Sequence, residues 1–162
     1  MEVTVDQQLH GNLEMSNMTI LLVEDNPDDE MLAIRALKKT EIESRVVVAR
    51  DGEEALDYLF GTGKYDGRDI KEQPHVVFLD LQLPKLNGIQ VLQRLRADEN
   101  TKALPVVLLT SSDEQCDIID CYKSGANSYI HKPVDFSEFT SQVRALGEYW
   151  LGINRVPDRL DY

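Results

Sequence analysis

The sequence predicts an α/β protein in which helices cover both faces of a five-stranded parallel sheet. Three observations predict it. Short apolar runs rich in β-branched residues alternate along the chain with segments of helical period. The run Val76, Val77, Phe78, Leu79 is apolar at every position, as a strand buried on both faces must be. Such runs end at polar or charged residues, and helix-opening signals follow them. The crossovers should be right-handed. At 162 residues the chain suits one domain with a core of its own.

Taken in order, residues 1–17 are polar and aperiodic and read as a flexible N-terminal extension. Residues 18–23 form the first strand, ending at Glu24 and Asp25. Asn26 then offers an N-cap, Pro27 the first helical position, and Asp28 and Asp29 an acidic first turn. Met31, Leu32, Ile34 and Leu37 mark that helix's apolar side. Residues 45–50 supply a second strand, and Asp51 with Glu54 starts the next helix. Residues 62–74 make a charged loop, longer than the usual helix-to-strand connection.

The third strand stops at Asp80. An ionised carboxylate is costly to desolvate, so it belongs at the strand's end rather than within it. Taken alone, Asp80 is equally a turn or capping residue. Pro84 and Gly88 turn the chain, and Asn87 with Gln90 opens a helix carrying Ile89, Val91, Leu92 and Leu95. Residues 105–109 form the fourth strand, ending at Thr110. Ser111 or Ser112, with Glu114 or Gln115, should open the fourth helix, which Gly125 closes. Residues 127–130 form the fifth strand, followed by His131, Lys132 and Pro133. The last helix starts at Asp135, with Glu138 three residues on. Its stripe of Phe136, Phe139, Val143, Leu146 and Trp150 steps by three and four and should face the core.

Composition narrows the function. A net charge of -12 argues against nucleic acid, whose phosphates reward clustered Lys and Arg. No apolar run approaches the roughly 20 residues needed to cross a bilayer. The first residues lack a basic stretch followed by an apolar one, so no secretory signal is visible. Cys116 and Cys121 sit five apart in a predicted helix, with Cα atoms roughly 8–9 Å apart, too far to bridge. Without His partners they make a poor metal site. They read as ordinary thiols of a reduced, cytoplasmic protein.

Parallel strands place all their C-terminal ends along one edge of the sheet. Glu24, Asp25, Asp80, Thr110 and Lys132 follow the ends of strands one, three, four and five, and so converge on the crevice where open α/β sheets bind ligands. Clustered carboxylates repel one another, and a hard divalent cation relieves the repulsion. Oxygen donors suit Mg²⁺, here on Asp25 and Asp80. A carboxylate can accept a phosphoryl group as a mixed anhydride. Charge on the transferring oxygens calls for a metal, a cation such as the Lys132 ammonium, and a hydroxyl such as that of Thr110. Singly, each is a common strand-end or solvated residue; the ordered set carries the signal.

This set resembles the receiver domain of two-component response regulators, the CheY-like, flavodoxin-like fold, over about residues 18–150. The resemblance implies a doubly wound sheet of order 2-1-3-4-5 with five helices. It implies that Asp80 is the phosphoacceptor and that Glu24 and Asp25 are the acidic pair. Mg²⁺ would be held with Asp80 and the backbone carbonyl of Gln82. Thr110 would be the switch hydroxyl, Lys132 the phosphoryl-binding lysine and Tyr129 the aromatic switch residue. Pro84 and Gly88 match the turn after the acceptor. Lys132–Pro133 matches a step at which the family's peptide bond is usually cis. Glu24 stands where Asp is commoner, a departure that a longer carboxylate reaching through water can absorb.

The implied function is that of a single-domain response regulator of a phosphorelay. It would take a phosphoryl group from a histidine kinase and switch a protein-binding surface. It would not be an enzyme beyond its own phosphorylation and dephosphorylation. The loop 62–74 and the end Tyr149, Trp150, Leu151, Gly152, Ile153 look like the Rcp-type regulators that serve bacterial phytochrome kinases, which tend to dimerise. The domain is expected over residues 18–151, with a C-terminal tail over 152–162. Two rival readings fit the residues less well. A haloacid-dehalogenase-like phosphohydrolase needs its nucleophile on the first strand in an Asp-x-Asp motif, and Glu24-Asp25-Asn26 does not supply one. A phosphorylation-independent adaptor would usually lack the acceptor or the lysine. With no effector domain expected, the signal should leave through the fourth helix, fifth strand and last helix. Tyr149, Leu151 and Ile153 should lie at a surface that favours a homodimer; alternatively, the tail folds back over them and the protein is monomeric.

Overall fold

The computed structural model describes residues 18–157. The expected extension over 1–17, and the tail beyond 157, lie outside the described residues. Five strands, β1 (Thr19–Val23), β2 (Arg45–Ala49), β3 (Val76–Leu79), β4 (Val106–Thr110) and β5 (Ser128–His131), alternate with five helices. These are α1 (Pro27–Lys38), α2 (Gly52–Phe60), α3 (Gly88–Arg96), α4 (Gln115–Lys123) and α5 (Phe136–Glu148). The sheet runs β2-β1-β3-β4-β5 with every pairing parallel.

Strand alternation sorts the core into two layers. Leu21, Val23, Val77, Leu79, Val106 and Leu108 point to one face, where Ala55, Leu56 and Leu59 of α2 and Val91, Leu92 and Leu95 of α3 cover them. Ile20, Leu22, Val76, Phe78, Val107 and Leu109 point to the other, under Ala33, Ala36 and Leu37 of α1 and Phe139 and Val143 of α5. Period two in the strands and helices on both faces explain why β3 is apolar at every position.

Caps fix where the helices start, and hence where the strand ends turn. Asn26 Oδ1 accepts from the N–H groups of Asp28 and Asp29. Asp51 accepts from Glu54, Asp135 from Glu138, and Asn87 and Gln90 form a reciprocal capping box. The long loop contains a short 3₁₀ turn, Gly63–Tyr65, and is pinned by Arg68. Arg68 stacks on the Tyr58 ring and donates from Nε to the Tyr58 carbonyl at 2.6 Å.

Several expectations need correcting. α4 starts at Gln115 behind Glu114, not at a serine, because the Ser112 hydroxyl is engaged with Asp117 instead (2.5 Å). Phe136 is 69% exposed: it sits in the first turn of α5, and the buried stripe begins only at Phe139. Leu151 is buried rather than exposed. Residues Tyr149–Ile153 form a π turn, closed by Asn154 N donating to the Tyr149 carbonyl, and the wider turn carries both Trp150 and Leu151 into the core. No described peptide bond is cis, so Lys132–Pro133 is trans, the form an X–Pro bond favours by about 0.5–1 kcal/mol. Cys116 is exposed and Cys121 buried, both free thiols. Among the described residues, no helix is long and apolar enough to cross a membrane.

Candidate functional site

The site lies at the C-terminal edge of the sheet and is built from main chain outward. Glu24 N donates to the Ala49 carbonyl (3.0 Å) and Asp80 N to the Val23 carbonyl (3.1 Å), so both acids continue the ladder just past their strands. Glu24 and Asp80 are buried, while Asp25 is exposed. One carboxylate oxygen from each of Glu24, Asp25 and Asp80 lies within 4.8 Å of the other two.

Asp80 is held tightly. Its Oδ1 accepts from Gln82 N at 3.1 Å, leaving Oδ2 towards Lys132. The turn after it packs against its own backbone. Gly88 N donates to the Leu81 carbonyl, and a Cβ on Gly88 would sit 2.4 Å from the Asp80 carbonyl oxygen. Only glycine fits there. An open pocket of about 380 Å³ leads to this region, with Asp25, Gln82, Pro84 and Asn87 among its walls.

Lys132 is the centre of the charge balance. Its main-chain N–H donates to the Thr110 carbonyl (2.7 Å), which fixes β5's end against β4's. Its buried Nζ lies 2.5 Å from Glu24 Oε2, 3.1 Å from Asp29 Oδ2 and 3.2 Å from Asp80 Oδ2. Burial alone would pull the ammonium's pKa down, but the charges of Asp80 and Glu24 outweigh it and hold the group above its ordinary value. Burial pushes the Glu24 carboxyl up to about 7, against the pull of Lys132. Excess negative charge thus rests on a site whose donors are all oxygen. That donor set fits a hard divalent cation, and a bound cation would restore the ionised form of Glu24.

Thr110 is fully buried at the end of β4, and its Oγ1 accepts from Ser112 N at 3.4 Å. Tyr129, on β5, donates its hydroxyl to the Ser112 carbonyl (2.7 Å); burial pushes its phenol up, so it stays a donor. The His131 ring Nε2 lies 3.0 Å from the Ser111 carbonyl. Glu24, Asp25, Asp80 and Lys132 are therefore brought together. Thr110 and Tyr129 meet through the loop after β4, and Gln82 reaches Asp80 through its main-chain N–H. Sequence reasoning missed Asp29 as a neighbour of Lys132. Its only signal was an acid in the first turn of α1, which also serves the helix dipole.

Residues 20–144 match the response regulator receiver domain family. The chain belongs to that family. This receiver is 42% identical over 138 residues to a probable methanogenesis regulatory protein, FilR2, of Methanothrix harundinacea, covering 85% of the chain and 86% of the relative. It is 33% identical over 138 residues to response regulator Rcp1 of Synechocystis sp., covering 85% of the chain and 92% of the relative. The Mn²⁺-bound structure of Rcp1 superposes with a TM-score of 0.81 at 32% identity, over 86% of this chain and 99% of that one. The phosphorylated cyanobacterial phytochrome response regulator RcpA gives 0.82 at 36% identity, over 87% and 99%. The strand order of this receiver is the one the resemblance implied.

Proposed function

We propose that this receiver accepts a phosphoryl group from a histidine kinase on Asp80, with Mg²⁺, and thereby switches a protein-binding surface. The observation that carries the reading is the buried Asp80–Lys132 pair beside the Glu24, Asp25, Asp80 cluster. An oxygen of Asp80 attacks the phosphorus of a phosphohistidine. The P–N bond breaks, and the imidazole leaves with the electron pair and takes up a proton. Glu24, Asp25 and Asp80, with the Gln82 carbonyl, would hold the metal. When bound, Mg²⁺ offsets charge on the transferring oxygens. Lys132 supplies a cation to the phosphoryl group. Thr110 offers its hydroxyl to a phosphoryl oxygen, and Tyr129 repacks in response; this is a shift between two packings.

Phytochrome-type input is proposed on the likeness to RcpA and Rcp1. A homodimer is proposed through α4, β5 and α5, supported by exposed Ile119 and Tyr122 on α4 and by Phe136, Tyr149 and Ile153 on α5 and its extension. A reduced, cytoplasmic setting accords with two free thiols. The test is to load the protein with acetyl phosphate and Mg²⁺ and measure its intact mass. One phosphoryl group is expected on wild type and none on Asp80→Asn. Normal labelling of Asp80→Asn would refute the acceptor.

A further inference from the structure

The Lys132 ammonium has three N–H donors and three carboxylate partners, Glu24, Asp29 and Asp80, so its donors are matched one to one. Two of the partners belong to the phosphoryl site. Asp29 comes instead from the first turn of α1. Its own helix does not need its carboxylate as a cap, because Asn26 Oδ1 already accepts from Asp28 N and Asp29 N. The Oδ2 of Asp29 turns to Lys132.

The three partners differ in how readily they can let go. The side chains of Glu24 and Asp80 are 4% and 9% exposed, against 29% for Asp29. Releasing a carboxylate that already meets water costs less than stranding a buried one. A phosphoryl group on Asp80 brings new anionic oxygens towards the ammonium. A fully matched ammonium can bond them only by giving up a partner.

We infer that Asp29 is a positioning residue for phosphoryl transfer, holding the Lys132 ammonium at rest and yielding it when Asp80 is phosphorylated. The inference rests on Asp80 being the acceptor. With acetyl phosphate, an Asp80 oxygen bonds to phosphorus, the bond from phosphorus to the acetyl oxygen breaks, and acetate leaves with the electron pair. As the phosphoryl group settles, Lys132 exchanges Asp29 for one of its oxygens, and Asp29 turns to solvent. Asp29 thus restrains the reaction in two ways. It competes for the ammonium, and its charge repels an anionic donor.

The experiment compares initial rates of acetyl phosphate labelling at saturating Mg²⁺, by intact mass, and beryllofluoride affinity by calorimetry as a readout free of turnover. Asp29→Asn is expected to label roughly three- to tenfold faster than wild type, the scale of one charge pair in a watery setting. It should bind beryllofluoride tighter by a similar factor. Asp29→Ser should follow it, so the result does not hang on one variant folding well. Asp29→Glu, which keeps the charge, should return to near the wild-type values. Asp28→Asn makes the same charge change at an exposed neighbour and should move neither readout more than twofold. Rates and affinities for Asp29→Asn and Asp29→Ser within twofold of wild type, or lower, would overturn the inference. So would an Asp28→Asn effect equal to theirs, which would reduce it to net charge. Labelling that survives in Asp80→Asn strikes the acceptor assignment instead, so the two failures are told apart.

Discussion

The Tyr129 hydroxyl donates to the main-chain carbonyl of Ser112 at 2.7 Å, fastening the aromatic ring of β5 to the loop that leaves Thr110. Thr110 Oγ1 in turn accepts from Ser112 N. One residue, Ser112, therefore links the buried hydroxyl to the ring through its two main-chain groups.

That linkage makes the proposed switch testable. Thr110→Val keeps the shape and removes the hydroxyl, so phosphorylation should no longer move the Tyr129 ring. Tyr129→Phe should still be labelled on Asp80 but should lose the fixed loop position. The measurement is ring and loop chemical shifts with and without beryllofluoride. A Thr110→Val variant whose Tyr129 responds as wild type does would break the coupling.

Metal and phosphoryl roles should separate by residue. Asp25 belongs to the carboxylate cluster, whereas Lys132 is a cation beside it. Asp25→Asn should weaken Mg²⁺ binding by roughly tenfold or more, since losing a group that only orients a metal ligand already costs about 10–100-fold. Lys132→Ala should retain Mg²⁺ binding while labelling of Asp80 falls. Calorimetric Mg²⁺ titration of each variant decides it; equal affinity in wild type and Asp25→Asn would remove Asp25 from the metal site.

The two thiols should differ in reactivity and in their effect on pH stability. Burial pushes the Cys121 thiol up to about 11. Near pH 8 a disulfide reagent should therefore react with one thiol per native chain, the exposed Cys116, and with both only after unfolding. The raised value also sets a sign. Between the ordinary thiol pKa and about 11 the unfolded chain releases a proton that native Cys121 retains, so this contribution to stability is lost as pH rises through that window. Denaturant midpoints of wild type and Cys121→Ala, followed from pH 8 to 11, should converge as pH rises.

Phe136 and Phe139, three residues apart on α5, should behave oppositely. Phe139→Ala should cost about 3–5 kcal/mol, as for other buried phenylalanines. Phe136→Ala should change stability by no more than about 0.5 kcal/mol. If the α4–β5–α5 face forms the homodimer, Phe136→Ala combined with Tyr149→Ala should lower the mass seen by light scattering at tens of micromolar. A monomeric wild type, with and without phosphorylation, would end the dimer proposal.

The sequence by itself determined the order of strands and helices and the residues at the strand ends, because both follow from local rules. Unbroken apolarity in Val76–Leu79 marks a strand buried on two faces, and Asn26, Asp51, Asn87 and Asp135 mark helix starts through their own side-chain chemistry. Parallel direction then carries Glu24, Asp25, Asp80, Thr110 and Lys132 to one edge without any knowledge of distances. What tertiary structure alone decided depends on phase and reach. The phase of α5 against the sheet leaves Phe136 outside, and a π turn that no residue type announces turns Leu151 inward. Likewise, α1 lies over the sheet so that Asp29 meets a lysine 103 positions away. Periodicity says which residues share a face; it does not say where that face ends, nor which distant charge waits across the crevice.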